Sequence, residues 1–176
     1  SGGISQRGLA METELITEQR LMRVNFWGTV ALSKWVIPGM IAQGAGQIVC
    51  ISSLVGKFGT RYRSAYAASK HAIHGYFDSL RTEVFDKGIN ITIICPGFIR
   101  TNVSINALNS RGEKQGTMDD AQAHGMSPEK FAKIAVSDIL SLKEESYIGG
   151  KEKLGVLLKR FVPGIFSKIL RKAKVV

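Results

Sequence analysis

The stretch SLVGKFGTRYRSAYAASK, residues 53–70, decides how this chain is read. Tyr66 and Lys70 are four residues apart, so on a helix they stand one turn above each other. They continue a stripe made by Ile73, Phe77, Leu80 and Val84, at steps of three and four. The predicted helix therefore packs on a core and aims a phenol and an ammonium at one place. Thirteen residues before Tyr66, Ser53 ends the apolar run QIVCISS, residues 47–53, which reads as a buried parallel strand. A hydroxyl at a strand tip, with a Tyr–Lys pair opening the next helix, marks the edge where open α/β sheets place their chemistry.

The trio has a chemical logic of its own. A ketone accepting a hydride develops oxyanion character and must gain a proton. A phenol can supply it, but its ordinary pKa of about 10 is too high for efficient exchange near neutrality. A nearby ammonium favours the phenolate, and a serine hydroxyl can hold the substrate oxygen against the phenol. No histidine base is required.

Taken together, Ser-Ser-x-x-Gly, the interval from Ser53 to Tyr66, and YAASK resemble the short-chain dehydrogenase/reductase family. The resemblance runs from the first residues to about Gly150. It implies that Ser53 orients the substrate carbonyl, Tyr66 is the acid/base, and Lys70 holds the nicotinamide ribose while lowering the tyrosine pKa. It places the family's relay asparagine, which holds a water, at Asn25 in VNFWGT. It makes CPGFIRT, residues 95–101, the cofactor loop, with Pro96, Gly97, the backbone of Ile99 and the hydroxyl of Thr101 against the carboxamide and phosphates of NAD or NADP. The opening Ser1-Gly2-Gly3 stands where the family has Asn-Ala-Gly, with only Gly3 matching. Phe98, Asn102, Met118 and Met126 are expected pocket residues, because the family covers its substrate with this region. Within the family, the opening and the basic tail are similar to the dehydrogenase/reductase member 7-like proteins.

What precedes this point in the family is not in the sequence. No Gly-x-x-x-Gly-x-Gly turn occurs, and that turn lets backbone N–H groups approach a pyrophosphate at a helix N-terminus. QGAGQ, residues 43–47, follows a helix and precedes a strand, the wrong order for a phosphate cradle, and reads as a helix C-cap. The expected fold is thus α/β, a Rossmann-type doubly wound parallel sheet lacking its N-terminal strands and glycine-rich turn. Residues 1–150 would form the C-terminal part of the catalytic domain and residues 151–176 a basic extension.

Composition sets further bounds. A chain of 176 residues with 44% hydrophobic content supports one globular core. No stretch reaches the roughly 20 apolar residues that span a bilayer. Cys50 and Cys95 fall in predicted core strands, which reads as buried thiols and a cytoplasmic protein rather than a disulfide or metal framework. His71 and His74 have no ligand partners at metal spacing in sequence, so they read as helix-face residues and no metal is expected.

Thr17 to about Gln43 reads as one long helix, with Leu21, Val24, Trp27, Gly28, Ala31, Leu32 and Trp35 as its apolar face and Pro38 as a kink or break. Trp27 and Trp35 read as core or subunit contacts, and the resemblance implies a homodimer or homotetramer. The run INITIIC, residues 89–95, reads as the next strand. Residues 102–126 form a long connection, Ser127-Pro128-Glu129 starts a helix ending near Ser141, and YIGG, residues 147–150, reads as a last strand.

The net charge of +10 is unevenly placed: residues 151–176 carry eight Lys or Arg against one Glu, so +7 of it lies there. No aromatic-basic platform or finger spacing accompanies it, so a nucleic-acid partner is not expected. The tail reads as two short basic amphipathic helices divided near Pro163-Gly164. Packing over the pocket or a partner subunit, and contact with an anionic membrane surface, are both open. The function expected is an NAD(P)-dependent oxidoreductase acting on a small alcohol or ketone, with a lipid-like substrate among the candidates. The alternative is a non-catalytic fragment or surface-binding protein that acts through its tail.

Overall fold

Two isoleucine-rich strands and a short third build a parallel sheet in the order β1-β2-β3. Strand β1 (Gly46–Ile51) pairs with β2 (Ile89–Pro96) from Gly46 opposite Ile89 to Ile51 opposite Ile94, and β2 pairs with β3 (Glu145–Ile148). This computed structural model describes residues 2–173; Ser1 of the expected Asn-Ala-Gly position and the last three residues of the tail lie outside them. The helix α3 (Ser64–Val84) joins β1 to β2, and α5 (Pro128–Leu140) joins β2 to β3. Central β2 is covered on both faces, with only Asn90 exposed, as a parallel strand between two helical layers is. On one face Ile91, Ile93 and Cys95 meet Ile73, Phe77, Leu80 and Val84 of α3. On the other, Ile94 packs with Ala135 of α5 and Ile148 of β3. The α3 stripe is where its spacing puts it, and the thiols of Cys50 and Cys95 are both free and buried.

The first helical region departs from expectation. It runs as α1 (Leu15–Met22), a π-helical turn (Arg23–Trp27) and α2 (Gly28–Gln43). Pro38 lies inside α2 without interrupting it; the carbonyl four residues earlier belongs to exposed Lys34, where water can serve it. Of the expected apolar face only Leu21 is buried, while Val24, Trp27, Leu32 and Trp35 are 41, 59, 66 and 81% exposed. The buried positions are Thr17, Leu21, Asn25, Val30 and Ser33. A π turn takes more residues per turn than an α-helix, which rotates the register of everything after it. Neither tryptophan belongs to the core of this chain.

The last strand begins two residues earlier than expected, at Glu145, and Ser127 caps α5 by accepting from Lys130 N at 3.3 Å. The long connection is less loop-like than its composition suggests. Leu108 N donates to Ser5 O at 2.9 Å and Arg7 N donates to Leu108 O at 2.7 Å, so this segment lies along the N-terminal residues. Ahead of the short helix α4 (Asp120–Ala123), Asp119 is buried against two guanidiniums, those of Arg7 and Arg63. Gln115 Nε2 also donates to Asp119 Oδ1 at 2.9 Å. The tail forms α6 (Leu154–Phe161) and α7 (Pro163–Lys172), split where expected. Among the described residues, no helix is long and apolar enough to cross a membrane.

Two glycines close the connections below the sheet. Gly44 ends α2 at φ 67° and Gly88 enters β2 at φ 72°, the left-handed region that other residues occupy at a cost. A Cβ on Gly88 would overlap the Gly44 carbonyl oxygen. Gly88→Ala is therefore expected to destabilise the chain by about 2 kcal/mol or more, read from the midpoint of urea unfolding. Asp119 yields a second expectation. Burial pushes its carboxyl up, but hydrogen bonds from Arg7 and Gln115 and the two guanidinium charges outweigh burial and hold it below the ordinary value. A depressed carboxyl contributes stability above its unfolded pKa of about 3.9 and loses it as pH falls through the folded value. Asp119→Asn should remove that acid-side slope from a urea-unfolding pH series. It should also cost about 3 kcal/mol at neutral pH by leaving the guanidiniums without their carboxylate.

Candidate active site

The first turn of α3 carries Tyr66, and it is held from outside the helix. Its N-cap, Arg63, makes no side-chain cap. The exposed donors of a helix N-terminus need partners, and a distant residue supplies them. Gln6, fully buried, accepts through Oε1 from Ala65 N at 2.9 Å and Tyr66 N at 3.3 Å. Its Nε2 donates to Thr13 Oγ1 at 3.0 Å. Asn25, also fully buried, joins the same segment to α3. Its Oδ1 accepts from Ile4 N at 2.8 Å, and its Nδ2 donates to Ile4 O at 2.9 Å and Ser69 Oγ at 3.0 Å. The carbonyl of Asn25 accepts from Thr29 Oγ1 at 2.8 Å. Asn25 thus sits inside the π turn as a splice between the N-terminal segment and the Tyr–Lys helix.

Ser53, Tyr66 and Lys70 converge on one cavity of ≈ 650 Å³. Ser53 accepts from Val55 N at 3.4 Å, capping the turn Leu54–Gly56, donates to Pro96 O at 3.3 Å, and lies near enough to the Tyr66 phenol to pull its pKa down. Lys70 Nζ donates to Ile51 O at 2.9 Å and lies 5.8 Å from the centre of the Tyr66 ring. Burial draws the Lys70 ammonium down to about 8. Burial also raises the Tyr66 phenol, against the opposing pull of the Ser53 hydrogen bond and the Arg63 and Arg7 charges. The cations that oppose burial of the phenol are thus Arg63 and Arg7, which spacing did not single out.

Gly3, Gly97, Ile99 and Thr101 line the same cavity, as does Pro96. A Cβ on Gly3 would stand 3.2 Å from Asn25 Oδ1 and 3.6 Å from Lys70 Nζ, so the absent side chain keeps that wall open. These residues fit one end of a nicotinamide dinucleotide. The loop around them is also tied down. Gln122 Nε2 donates to Ile99 O, and Phe98 N donates to Glu152 Oε1 at 3.1 Å. Thr101 is exposed.

Of the expected pocket residues, Phe98 lines the cavity, with the Arg63 guanidinium 5.8 Å from its ring centre. Asn102, Met118 and Met126 do not line it. Asn102 faces solvent, Met118 Sδ accepts from Ser104 Oγ at 3.1 Å, and Met126 packs with the α5-side core. The walls come instead from Arg7, Phe58, Arg63, Val103 and the tail residues Leu158 and Phe166. Arg63 is pushed down to about 10 by burial and by Arg7 beside it. Gln6, Arg7, Arg63 and Asp119 carry no recognisable spacing; the one available signal was Arg63 lying a single turn before Tyr66.

His74 is not a solvent-facing residue. It is buried beside buried Cys95 and half-buried Glu145, their ligand atoms within 4.8 Å of one another. Such a trio has the composition of a metal site, but Lys57 Nζ already lies 2.6 Å from Glu145 Oε1. Burial pushes the Glu145 carboxyl up, yet hydrogen bonds from His74, Lys57 and Tyr147 and the Lys57 charge hold it at about 2. Burial and the neighbouring Glu145 push the Cys95 thiol well up, away from the thiolate a metal needs. The cluster is a neutralised network beneath the site, and Ser52 Oγ at 3.1 Å from His74 Nε2 connects it to the β1 tip.

The chain resembles known proteins along its whole length. The family pattern for short chain dehydrogenase matches residues 1–112. Dehydrogenase/reductase SDR family member 7B of Bos taurus is 40% identical over 171 residues, 97% of this chain and 53% of the relative. The chain thus spans about half the length of the curated relatives it matches. A gluconate 5-dehydrogenase from Burkholderia cenocepacia, solved with NADP and tartrate, is 28% identical with a TM-score of 0.57, over 58% of this chain and 40% of that one. A short chain dehydrogenase/reductase from Burkholderia phymatum, solved with NAD, has the same fold, with a TM-score of 0.78 at 20% identity over 93% of this chain and 64% of that one. With the Ser53, Tyr66 and Lys70 arrangement standing on a partial Rossmann-type sheet, this chain belongs to the short-chain dehydrogenase/reductase family.

Proposed function

We propose that this chain is the catalytic portion of an NAD- or NADP-dependent oxidoreductase that interconverts an alcohol and a ketone. The observation that carries this reading is the meeting of Ser53, Tyr66 and Lys70 on one wall of a cavity that also reaches Gly3, Gly97 and Thr101. A bound nicotinamide would supply or accept the hydride. Gly3, Pro96, Gly97, the backbone of Ile99 and Thr101 would hold it, with Lys70 toward the ribose and Asn25 fixing the segment that carries Gly3. The substrate oxygen would lie between the Ser53 hydroxyl and the Tyr66 phenol, beside Phe98.

In reduction, Tyr66 gives its proton to the oxygen as the carbonyl becomes an alkoxide, and in oxidation it takes the proton back. Burial keeps the free phenol protonated, so the proton is present for the reductive direction, while the neighbouring charges must offset the weaker acidity that burial imposes. The oxidative direction needs the phenolate, and the charges of Arg63 and Arg7 favour that form. The walls made by Leu54, Val55, Phe58 and Leu158 suit a small molecule with an apolar, lipid-like portion. We assign the exposed row of Trp27, Leu32 and Trp35 to self-association in a homodimer or homotetramer, and the buried free thiols accord with a cytoplasmic setting.

The test uses the intact protein with NADH, NADPH and a panel of ketones. Tyr66→Phe is expected to lower turnover by about 10²–10⁴-fold. Nicotinamide binding by calorimetry and the unfolding midpoint should stay unchanged. Normal turnover in that variant would remove the assigned chemistry.

A further inference from the structure

The tail is apolar on two sides. Its inner side, through Val156, Leu158, Phe166 and Leu170, packs against the α3-side core. Phe166 is only 6% exposed, and its ring stands edge-on to Phe58 at 5.1 Å. The outer side is unpartnered: Leu154, Leu157, Phe161, Ile165 and Ile169 are 53, 55, 72, 58 and 51% exposed. The cations Lys159, Arg160, Lys168, Arg171 and Lys172 are exposed on the same two helices. Leu154 and Ile169 belong to both surfaces, since they also line the cavity that holds Tyr66. The exposed apolar row therefore runs into the wall of the pocket.

We propose that α6 and α7 form a docking surface for an anionic lipid bilayer, placed so that the pocket is bordered by the docked surface. Charge and shape favour this occupant over the others. A second copy could cover the apolar row but would bring together two tails that each carry eight cations and one acid. A nucleic acid could use the cations but would leave Phe161 and Ile165 in water. An anionic bilayer satisfies both, with the cations at the headgroups and the apolar row at the acyl boundary. The short length of the helices fits a surface position, since neither can span a bilayer. An apolar ligand could then pass from the bilayer past Leu154 and Ile169 without crossing water.

The experiment is cosedimentation of the full chain with vesicles of phosphatidylcholine alone or mixed with phosphatidylglycerol. It reads no turnover, so its outcome is separate from the chemistry assigned to Tyr66. Binding is expected on the mixed vesicles, to weaken with added salt, and to fall about tenfold or more in Leu157→Glu and Phe161→Glu. These positions are exposed, and unchanged circular dichroism would establish that the fold is intact. Lys159→Glu with Arg160→Glu should weaken binding to mixed vesicles selectively, while Leu32→Glu on α2 should leave it unchanged. Phe161→Trp should show a blue-shifted emission only with mixed vesicles. The proposal is overturned by absence of vesicle binding, by binding that Leu157→Glu and Phe161→Glu leave intact, or by equal binding to neutral vesicles. It is equally overturned if Phe161→Glu abolishes self-association without affecting vesicles, or if the tail retains a polyanion such as heparin but no vesicle.

Discussion

The arrangement depends on how the first turn of α3 is held. A helix whose own N-cap offers no side-chain acceptor must find partners for its leading N–H groups elsewhere, and here the carboxamide of Gln6 supplies them. This one contact ties the direction of α3, and with it Tyr66, to a segment nearly sixty residues away in sequence. Asn25 repeats the tie one turn further along, through Ile4 and Ser69. Both amides are fully buried, where an unmet donor or acceptor costs more than the bond itself contributes. The N-terminal segment and α3 are therefore one unit.

Electrostatics around that unit is a balance between burial and charge. Burial pushes Tyr66 toward its neutral form and Lys70 toward its own, so neither group is poised by desolvation for the phenolate. Charge acts the other way. Arg7 and Arg63 meet one buried carboxylate at Asp119, and the excess positive charge lies beside the phenol. The same carboxylate fastens the long connection beside the pocket, so the segment that borders the cavity and the charge acting on the Tyr66 phenol share one anchor. Fixed charge of this kind can stabilise a developing anion without solvent or side chains having to reorganise.

The tail completes the enclosure. Glu152 reaches back to the backbone at Phe98 and Gly150, and Phe166 fills the space beside Phe58. The extension is thereby part of the pocket wall while its outer row remains open to a partner. Two uncovered apolar surfaces, on α1–α2 and on α6–α7, lie on elements whose other sides are already packed against the core.

The sequence by itself determined the elements whose forces are local or periodic. The α3 stripe, both long strands, the caps at Gly44 and Ser127, and the division of the tail all follow from spacing, turn chemistry and apolar runs. The Ser53, Tyr66 and Lys70 set was legible too, because a four-residue helical step and a strand-tip hydroxyl have meaning without the rest of the fold. Tertiary structure alone decided which face of α1–α2 is buried, since the π turn resets its phase and the N-terminal segment, not an apolar core, takes the place beside Asn25. It also decided what surrounds Tyr66: Gln6 and Arg7 come from the N-terminal segment, Arg63 from one turn earlier, and Asp119, from beyond β2, pairs with both guanidiniums. Hydrogen bonds and ion pairs between distant residues leave no period in a sequence, because their geometry exists only after the chain has folded.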